Sequence, residues 1–309
     1  MNIKKIAVLL GGSSEEREVS LVTGEKVAEA LAKKGYQTDK IDPVDFSAFH
    51  KLVTYIKEHN YDIVFNALHG KIGEDGKIQA LFELEGIPYT GSDFKSSVLA
   101  MDKIISAQLA AKDGIPIPGY IVLNKQESYS FQIKQSKMQL PVVIKPVNSG
   151  SSFGITIVKT KKELHKAMTN AFKYDNNIMI EKYIAGRELT VTILNNRALP
   201  VVEIKPKNGW YNYANKYTKG NTKYIVPADL GKTEKKLIGE YAEKIFTTLG
   251  CSVYGRVDFR YDGHKFYFLE VNTLPGMTEL SLTPMAAKES GLSFSDLLKK
   301  IIELSFRRF

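Results

Sequence analysis

GRVDF at residues 255–259 and FLEVNTLPGMT at 268–278 decide how this chain reads. Both open as apolar runs interrupted by charge, the pattern of strands over about 253–260 and 265–271. In a strand, alternate residues share a face, so Arg256 projects with Asp258 and Glu270 with Asn272. A carboxylate in so apolar a strand is costly unless it is paired or bound to metal. Pairing the two strands brings Asp258, Glu270 and Asn272 together. Three hard oxygen donors with neither His nor Cys suit Mg²⁺, which also takes phosphate oxygens. Gly276 then allows a backbone N–H to turn toward an oxyanion.

Upstream, Lys145 closes the apolar run of LPVVIKP (140–146). The loop NSGSSFG (148–154) follows, and ITIVK (155–159) is a second strand, so the loop is a hairpin lid. Gly150 and Gly154 let the backbone fold over a phosphate, Ser151 and Ser152 add hydroxyls, and successive N–H groups make an anion nest. Lys145 supplies a point charge for a polyphosphate beneath the lid. Lys103, near the start of a helix over 101–114, and Lys182 in MIEKY are further candidates. No G-x-x-x-x-G-K-[ST] occurs, and no G-x-G-x-x-G follows the first strand. This argues against P-loop and dinucleotide-binding folds.

Toward the N-terminus, strands Lys4–Leu10, Tyr61–Leu68 and Gly86–Thr90 alternate with helix, which predicts a parallel α/β sheet over the first 95 residues. Ligands of such sheets lie beyond the C-terminal strand ends, where Gly11-Gly12 and His69-Gly70 fall. Taken alone, Glu16 reads as part of a capping box with Ser13, and His69 as a satisfied strand-end histidine. Further helices are expected at 163–173, 233–248 and 291–306, with strands at 178–183 and 188–194. Residues 205–224 lack a period and read as a long surface loop. Their interleaved lysines and aromatics suit either an active-site lid or a single-stranded nucleic-acid surface.

Composition sets the frame. The chain has 309 residues, enough for two or three domains, and 43% apolar with 25% charged residues excludes disorder. Residues 1–100 carry 12 basic and 15 acidic side chains, residues 101–309 carry 31 and 19, and the net charge is +9. The anion-seeking part is therefore the C-terminal two-thirds. One cysteine, Cys251, excludes a disulfide framework and fits a reducing cytoplasm. No apolar stretch reaches the length of a membrane span, and Ile6–Leu10 is too short for a signal-peptide core. The expected location is the cytoplasm.

Read together, LLGGSSEEREVS, LHGKIGEDG, YTGSDFKSSVLAMDK, VIKPVNSGSSFG, IEKYIAGRELTV, NKY, GRVDF and LEVNTLPGMTELSLTPMA resemble the D-alanine–D-alanine ligase family of the ATP-grasp superfamily. They occur in that family's order from residue 6 to about 300. Asn148 and Ser149 depart from the pattern, which more often has charged residues there.

The resemblance implies an α/β fold, α+β overall: an N-terminal parallel α/β domain (1–95), a central subdomain with the lid (96–183) and a C-terminal subdomain (184–309), the last two sandwiching ATP. It implies a homodimer, with ATP, two Mg²⁺ (or Mn²⁺) and D-alanine as ligands, and with neither nucleic acid nor membrane as a partner. ATP would phosphorylate the carboxylate of one D-alanine, and the amine of a second would attack the acyl phosphate, for cell-wall synthesis. Glu16 would hold the first ammonium and join Ser151 and Tyr217 in a hydrogen-bonded set. His69 would lie near the first substrate. Lys103, Lys145 and Lys216 would contact phosphates, with Ser152 in the lid over them. Glu181, Lys182 and Ile184 would bind adenine and Glu188 the ribose. Arg256 and Gly276 would stabilise the oxyanion, Asp258, Glu270 and Asn272 would hold the metal, and Ser281 and Leu282 would bind the second substrate. A D-alanyl-D-lactate ligase, or another carboxylate–amine ligase, is the neighbouring reading; the tyrosine at 217 goes with an amine acceptor.

Overall fold

A computed structural model describes residues 3–126, 138–218, 220–278 and 281–309, apart from the side chains of Tyr213 and Tyr217. Its framework is three sheets. The first is built from β1 (Lys5–Leu9), α1 (Arg17–Lys33), β2 (Gln37–Ile41), α2 (Phe49–Glu58), β3 (Ile63–Asn66) and α3 (Lys77–Leu84). Its strands are parallel in the order β2-β1-β3. β1 and β3 are buried along nearly their whole length, the signature of a parallel sheet covered on both faces. The expected strand at 86–90 reduces to a single parallel bridge from Tyr89 to Val64.

The helix expected at 101–114 is α5 (Lys103–Lys112), and a further helix, α4 (Phe94–Met101), precedes it. Asp102 breaks them: its backbone is extended and its carboxylate accepts from the N–H groups of Ile104 and Ile105. Lys103 is thereby the first residue of a capped helix, held at a fixed point rather than on a helix face.

The second sheet is antiparallel. It contains β4 (Tyr120–Asn124), β5 (Val142–Pro146), β6 (Thr156–Val158) and β7 (Asn177–Lys182) in the order β4-β7-β5-β6, with α6 (Leu164–Ala171) packed on it. Residues 148–154 are the β5–β6 hairpin loop, as expected.

The third sheet holds β8 (Arg187–Leu194), β9 (Arg197–Ala198), β10 (Val202–Pro206), β11 (Thr222–Ile225), β12 (Tyr254–Tyr261) and β13 (Phe266–Asn272). Its order is β11-β10-β8-β12-β13, with β9 on β8. Residues 205–224 are not one irregular loop: they include the end of β10, the short helix α7 (Tyr213–Tyr217) and most of β11. The side chains of two asparagines replace an apolar period here. Asn212 caps α7, and buried Asn215 donates to the carbonyls of Asn208 and Trp210. α8 (Lys232–Thr248) packs behind this sheet, and α9 (Leu282–Glu289) and α10 (Phe294–Phe306) follow.

α10 returns to the first sheet. Leu297, Leu298, Ile301 and Ile302 are fully buried in one cluster with Ile6, Val8, Val27, Leu31 and Phe65. That cluster also takes in Tyr254, Leu274 and Met277, so it bonds the start of the chain to the strand ends that carry Asp258 and Glu270.

Candidate active site

β12 and β13 pair as the alternation of their residues predicts, with Arg256 opposite Asn272 and Asp258 opposite Glu270. A bulge then shifts the register between Asp258 and Phe259. Arg256 donates from Nε and Nη2 to the two Asp258 oxygens, each at 2.9 Å, and Thr190 Oγ1 donates to Asp258 Oδ1 at 2.5 Å. Lys103 Nζ lies 3.1 Å from Glu270 Oε2. Burial would raise the Glu270 carboxyl, but Lys103, Lys216 and Lys145 outweigh it and hold it at about 2. Asn272 Oδ1 accepts from the Leu274 N–H at 3.0 Å. Among the described residues no cluster of three His, Cys, Asp or Glu side chains is placed to hold a metal. This patch has two carboxylates and one amide oxygen. Its donor chemistry fits Mg²⁺ when phosphate oxygens complete the shell, and Arg256 and Lys103 lie against the carboxylates of Asp258 and Glu270.

A cavity of about 460 Å³ lies between the second and third sheets. Lys145, Ser152, Glu181, Lys182, Ile184 and Glu188 line it, with Lys216 and Asp258. Lys145 and Glu181 are both buried and paired at 2.7 Å, so the lysine charge is held at the cavity wall by its neighbour on β7. Burial pushes the Glu188 carboxyl up to about 7, against the pull of Arg260 and Lys216.

A second cavity, of about 620 Å³, lies under the first sheet's C-terminal strand ends. Glu16, His69, Ser151, Arg256, Gly276, Ser281 and Leu282 line it, with Asn272. Glu16 does not form the expected capping box. It stands at the start of α1 with no side-chain cap bond, and Ser14 Oγ takes its N–H instead. Its carboxylate accepts a short hydrogen bond from the Ser151 hydroxyl, which ties the lid to the first sheet. Burial, then the nearby Glu74, pushes the Glu16 carboxyl up to about 7. His69 is satisfied as well as placed: Nδ1 is 3.2 Å from Glu74 Oε1 and Nε2 is 3.2 Å from Thr23 Oγ1. Ser281 Oγ accepts from the Thr278 N–H and, on the cavity side, a Cβ on Gly276 would come within 3.2 Å of it.

The lid is bonded on three sides. Besides Ser151 to Glu16, the Ser149 carbonyl accepts from Lys103 Nζ at 2.6 Å and Ser152 Oγ donates to the Tyr211 carbonyl at 3.2 Å. Ser151 and Ser152 both sit in the left-handed region, at φ 46° and 63°, a strained pair of the kind that clusters at ligand clamps. The two cavities meet beneath it: Lys103, Tyr211, Lys216 and Glu270 line both. Of the expected residues, only the Tyr217 side chain lies outside the described positions. Two residues of the site went unread in the sequence, Glu74 and Arg260, and Tyr211 was legible only as one of the aromatics of 205–224. Glu74 follows His69 by five positions in the HGKIGED segment, Tyr211 joins the cavities, and Arg260 repeats the two-residue alternation of Arg256 and Asp258.

Two antiparallel sheets around a lysine-bearing cavity, roofed by a Gly/Ser hairpin and set beside a parallel α/β unit, define an ATP-grasp enzyme. Residues 109–303 match the family model for the C-terminus of D-Ala–D-Ala ligase, and residues 39–92 match that for its N-terminus. The chain is 46% identical over 307 residues to the D-alanine–D-alanine ligase of Methylacidiphilum infernorum, covering 99% of this chain and 97% of the relative. It superposes on the ligase of Bacillus anthracis crystallised with ATP at a TM-score of 0.87, with 36% identity, covering 99% and 98% of the two chains. The D-Ala:D-Ser ligase of Enterococcus faecalis gives a TM-score of 0.82 and 33% identity, covering 98% of this chain and all of the other. The chain belongs to the D-alanine–D-alanine ligase family.

Proposed function

We propose that this chain joins two D-alanine molecules into D-alanyl-D-alanine at the expense of ATP, as a step of peptidoglycan precursor synthesis. The observation that carries this reading is the wall of Lys103, Tyr211, Lys216 and Glu270 common to both cavities. Among the described residues, that wall is where a nucleotide in one cavity and an amino acid in the other meet. An amino acid held by its ammonium at Glu16 extends its carboxylate toward that wall. A carboxylate oxygen attacks the γ-phosphorus, ADP leaves, and the acyl phosphate replaces a poor electrophile with a good one. Lys103, Lys145 and Lys216 balance the charge of the phosphates. The neutral amine of the second D-alanine, oriented from Ser281 and Leu282, then attacks the acyl carbon. Arg256 and the Gly276 N–H stabilise the oxyanion, and phosphate leaves. Lid residues 148–154 exclude the water that would hydrolyse the intermediate.

Asp258, Glu270 and Asn272 would hold Mg²⁺ or Mn²⁺, two ions by the resemblance, which when bound neutralise charge on the phosphates. Glu181, Lys182 and Ile184 would face the base and Glu188 the ribose. The reading carries with it a homodimer, a cytoplasmic location and division into units of 1–95, 96–183 and 184–309. No described helix is long and apolar enough to cross a membrane.

Phosphate release from ATP tests the proposal. Turnover is expected with D-alanine and not with L-alanine, and dipeptide is expected to dominate over depsipeptide when D-lactate competes. Equal turnover with L-alanine, or none with D-alanine, would exclude it.

A further inference from the structure

The four residues between β7 and β8, Tyr183 to Gly186, join the two sheets that enclose the 460 Å³ cavity, and Tyr183, Ile184 and Gly186 line it. Nothing in their own sequence fixes them, because a short coil has no ladder of its own. The Tyr183 N–H donates to the Pro141 carbonyl at 3.2 Å, and the rest of the linker is held by one guanidinium on β12. Arg260 Nε donates to the Ile184 carbonyl at 3.1 Å and Nη2 to the Gly186 carbonyl at 2.7 Å. Nη1 reaches Glu188 Oε2 at 3.3 Å, on the strand residue directly across the ladder. The guanidinium carbon also lies 5.8 Å from the centre of the Tyr183 ring. All three kinds of donor on the planar fork are used, in directions a lysine cannot reproduce together. The linker also lies hard against β12: a Cβ on Gly186, at φ +120°, would stand 2.1 Å from the Tyr261 carbonyl oxygen.

We infer that Arg260 is a positioning residue for the nucleotide, holding with one side chain both the backbone that faces the base and the Glu188 carboxylate that faces the ribose. The inference rests on reading this cavity as the nucleotide cleft. By the two-residue alternation of a strand, β12 presents Asp258 to the phosphates and Arg260 to the linker on one face. β12 thus sets the spacing between the two ends of a bound nucleotide. Arg260 touches neither reacting atom, so its loss acts on nucleotide affinity and on ribose recognition before it acts on chemistry.

The experiment compares the parent with Arg260→Gln, Arg260→Lys, Glu188→Gln and the Glu188→Gln/Arg260→Gln double variant. For each, the KM values for ATP, 2′,3′-dideoxy-ATP and D-alanine are measured, with ADP binding by calorimetry. Arg260→Gln is expected to raise the KM for ATP at least about tenfold, the scale of losing a charge-assisted hydrogen bond, while the KM for D-alanine moves much less. The parent's preference for ATP over the dideoxy nucleotide should collapse. In the Glu188→Gln background that preference is already lost and Arg260→Gln should leave it where it is, yet still raise the KM for ATP through the linker. Arg260→Lys, which keeps the charge without the fork, should recover part of the ribose preference and little of the ATP affinity. Unchanged nucleotide KM in a folded Arg260→Gln protein, or equal losses for ATP and D-alanine together, would overturn the inference. A parent that binds no ADP would instead overturn the reading of the cavity.

Discussion

At the scale of the residue, charges are placed by burial as much as by pairing. Glu16 titrates near 7 because burial, and then Glu74, oppose its ionisation. The D-alanine ammonium needs the ionised form. The KM for D-alanine at the first site is therefore expected to fall as pH rises from 6 to 8. Glu74→Gln removes a neighbouring negative charge, so Glu16 ionises at lower pH and the profile moves down; an unmoved profile would show that Glu74 does not set it. Stability runs the other way. A carboxyl whose folded value exceeds its ordinary 4.5 stabilises the fold fully below that ordinary value, and this contribution is lost as pH rises through about 7. Glu270 is the opposite case. Glu270→Gln should leave the fold intact, because Lys103 also donates to the Ser149 carbonyl, and should cut turnover by orders of magnitude. Near-parental activity would sink the metal assignment. Asp258, Glu270 and Asn272 were legible because two-residue alternation is local. Glu74 and Arg260 were not, since what they act on, the Glu16 carboxyl and the Ile184 carbonyl, comes from distant segments.

At the scale of the element, legibility followed hydrophobic pattern. β1, β5, β12 and β13 are apolar runs and fall where the sequence put them. β2, QTDKI, is an edge strand with one buried residue, and nothing in its composition marks it. The break at Asp102 depends on a side-chain cap, and α7 on the bonds of Asn212 and Asn215, neither of which leaves a period to read. The lid is the element on which a prediction turns. Three of its anchors, at Glu16, Lys103 and Tyr211, come from separate segments and are single hydrogen bonds, while Asn148 at its base donates twice to Asp175. One bond contributes only about 1 kcal/mol, so the lid should open readily until ligands add to it. Limited proteolysis within 148–154 is expected to slow markedly with an ATP analogue plus D-alanine. Cleavage at equal rates with and without ligands would count against closure.

At the scale of the whole molecule, the first sheet is incomplete by itself. Its buried face is closed by Leu297, Leu298, Ile301 and Ile302 of α10, which sequence order could not reveal because amphipathic helices do not name their partners. A fragment of residues 1–95 is expected to remain largely unfolded, by circular dichroism and by binding of a hydrophobic dye, and to gain structure when residues 292–309 are fused to it. Ile301→Ala should cost the intact protein about 2–5 kcal/mol in denaturant unfolding. A cooperatively folded 1–95 fragment would show that α10 is dispensable to the sheet. The dependence also has a consequence in time. A ribosome delivers β1 and α1 well before α10, so until α10 emerges the strands of the first sheet wait with one apolar face only partly covered, by Val27, Ala28 and Leu31 of α1. Whatever shelters that face during translation, chaperone or ribosome surface, must stay until α10 emerges.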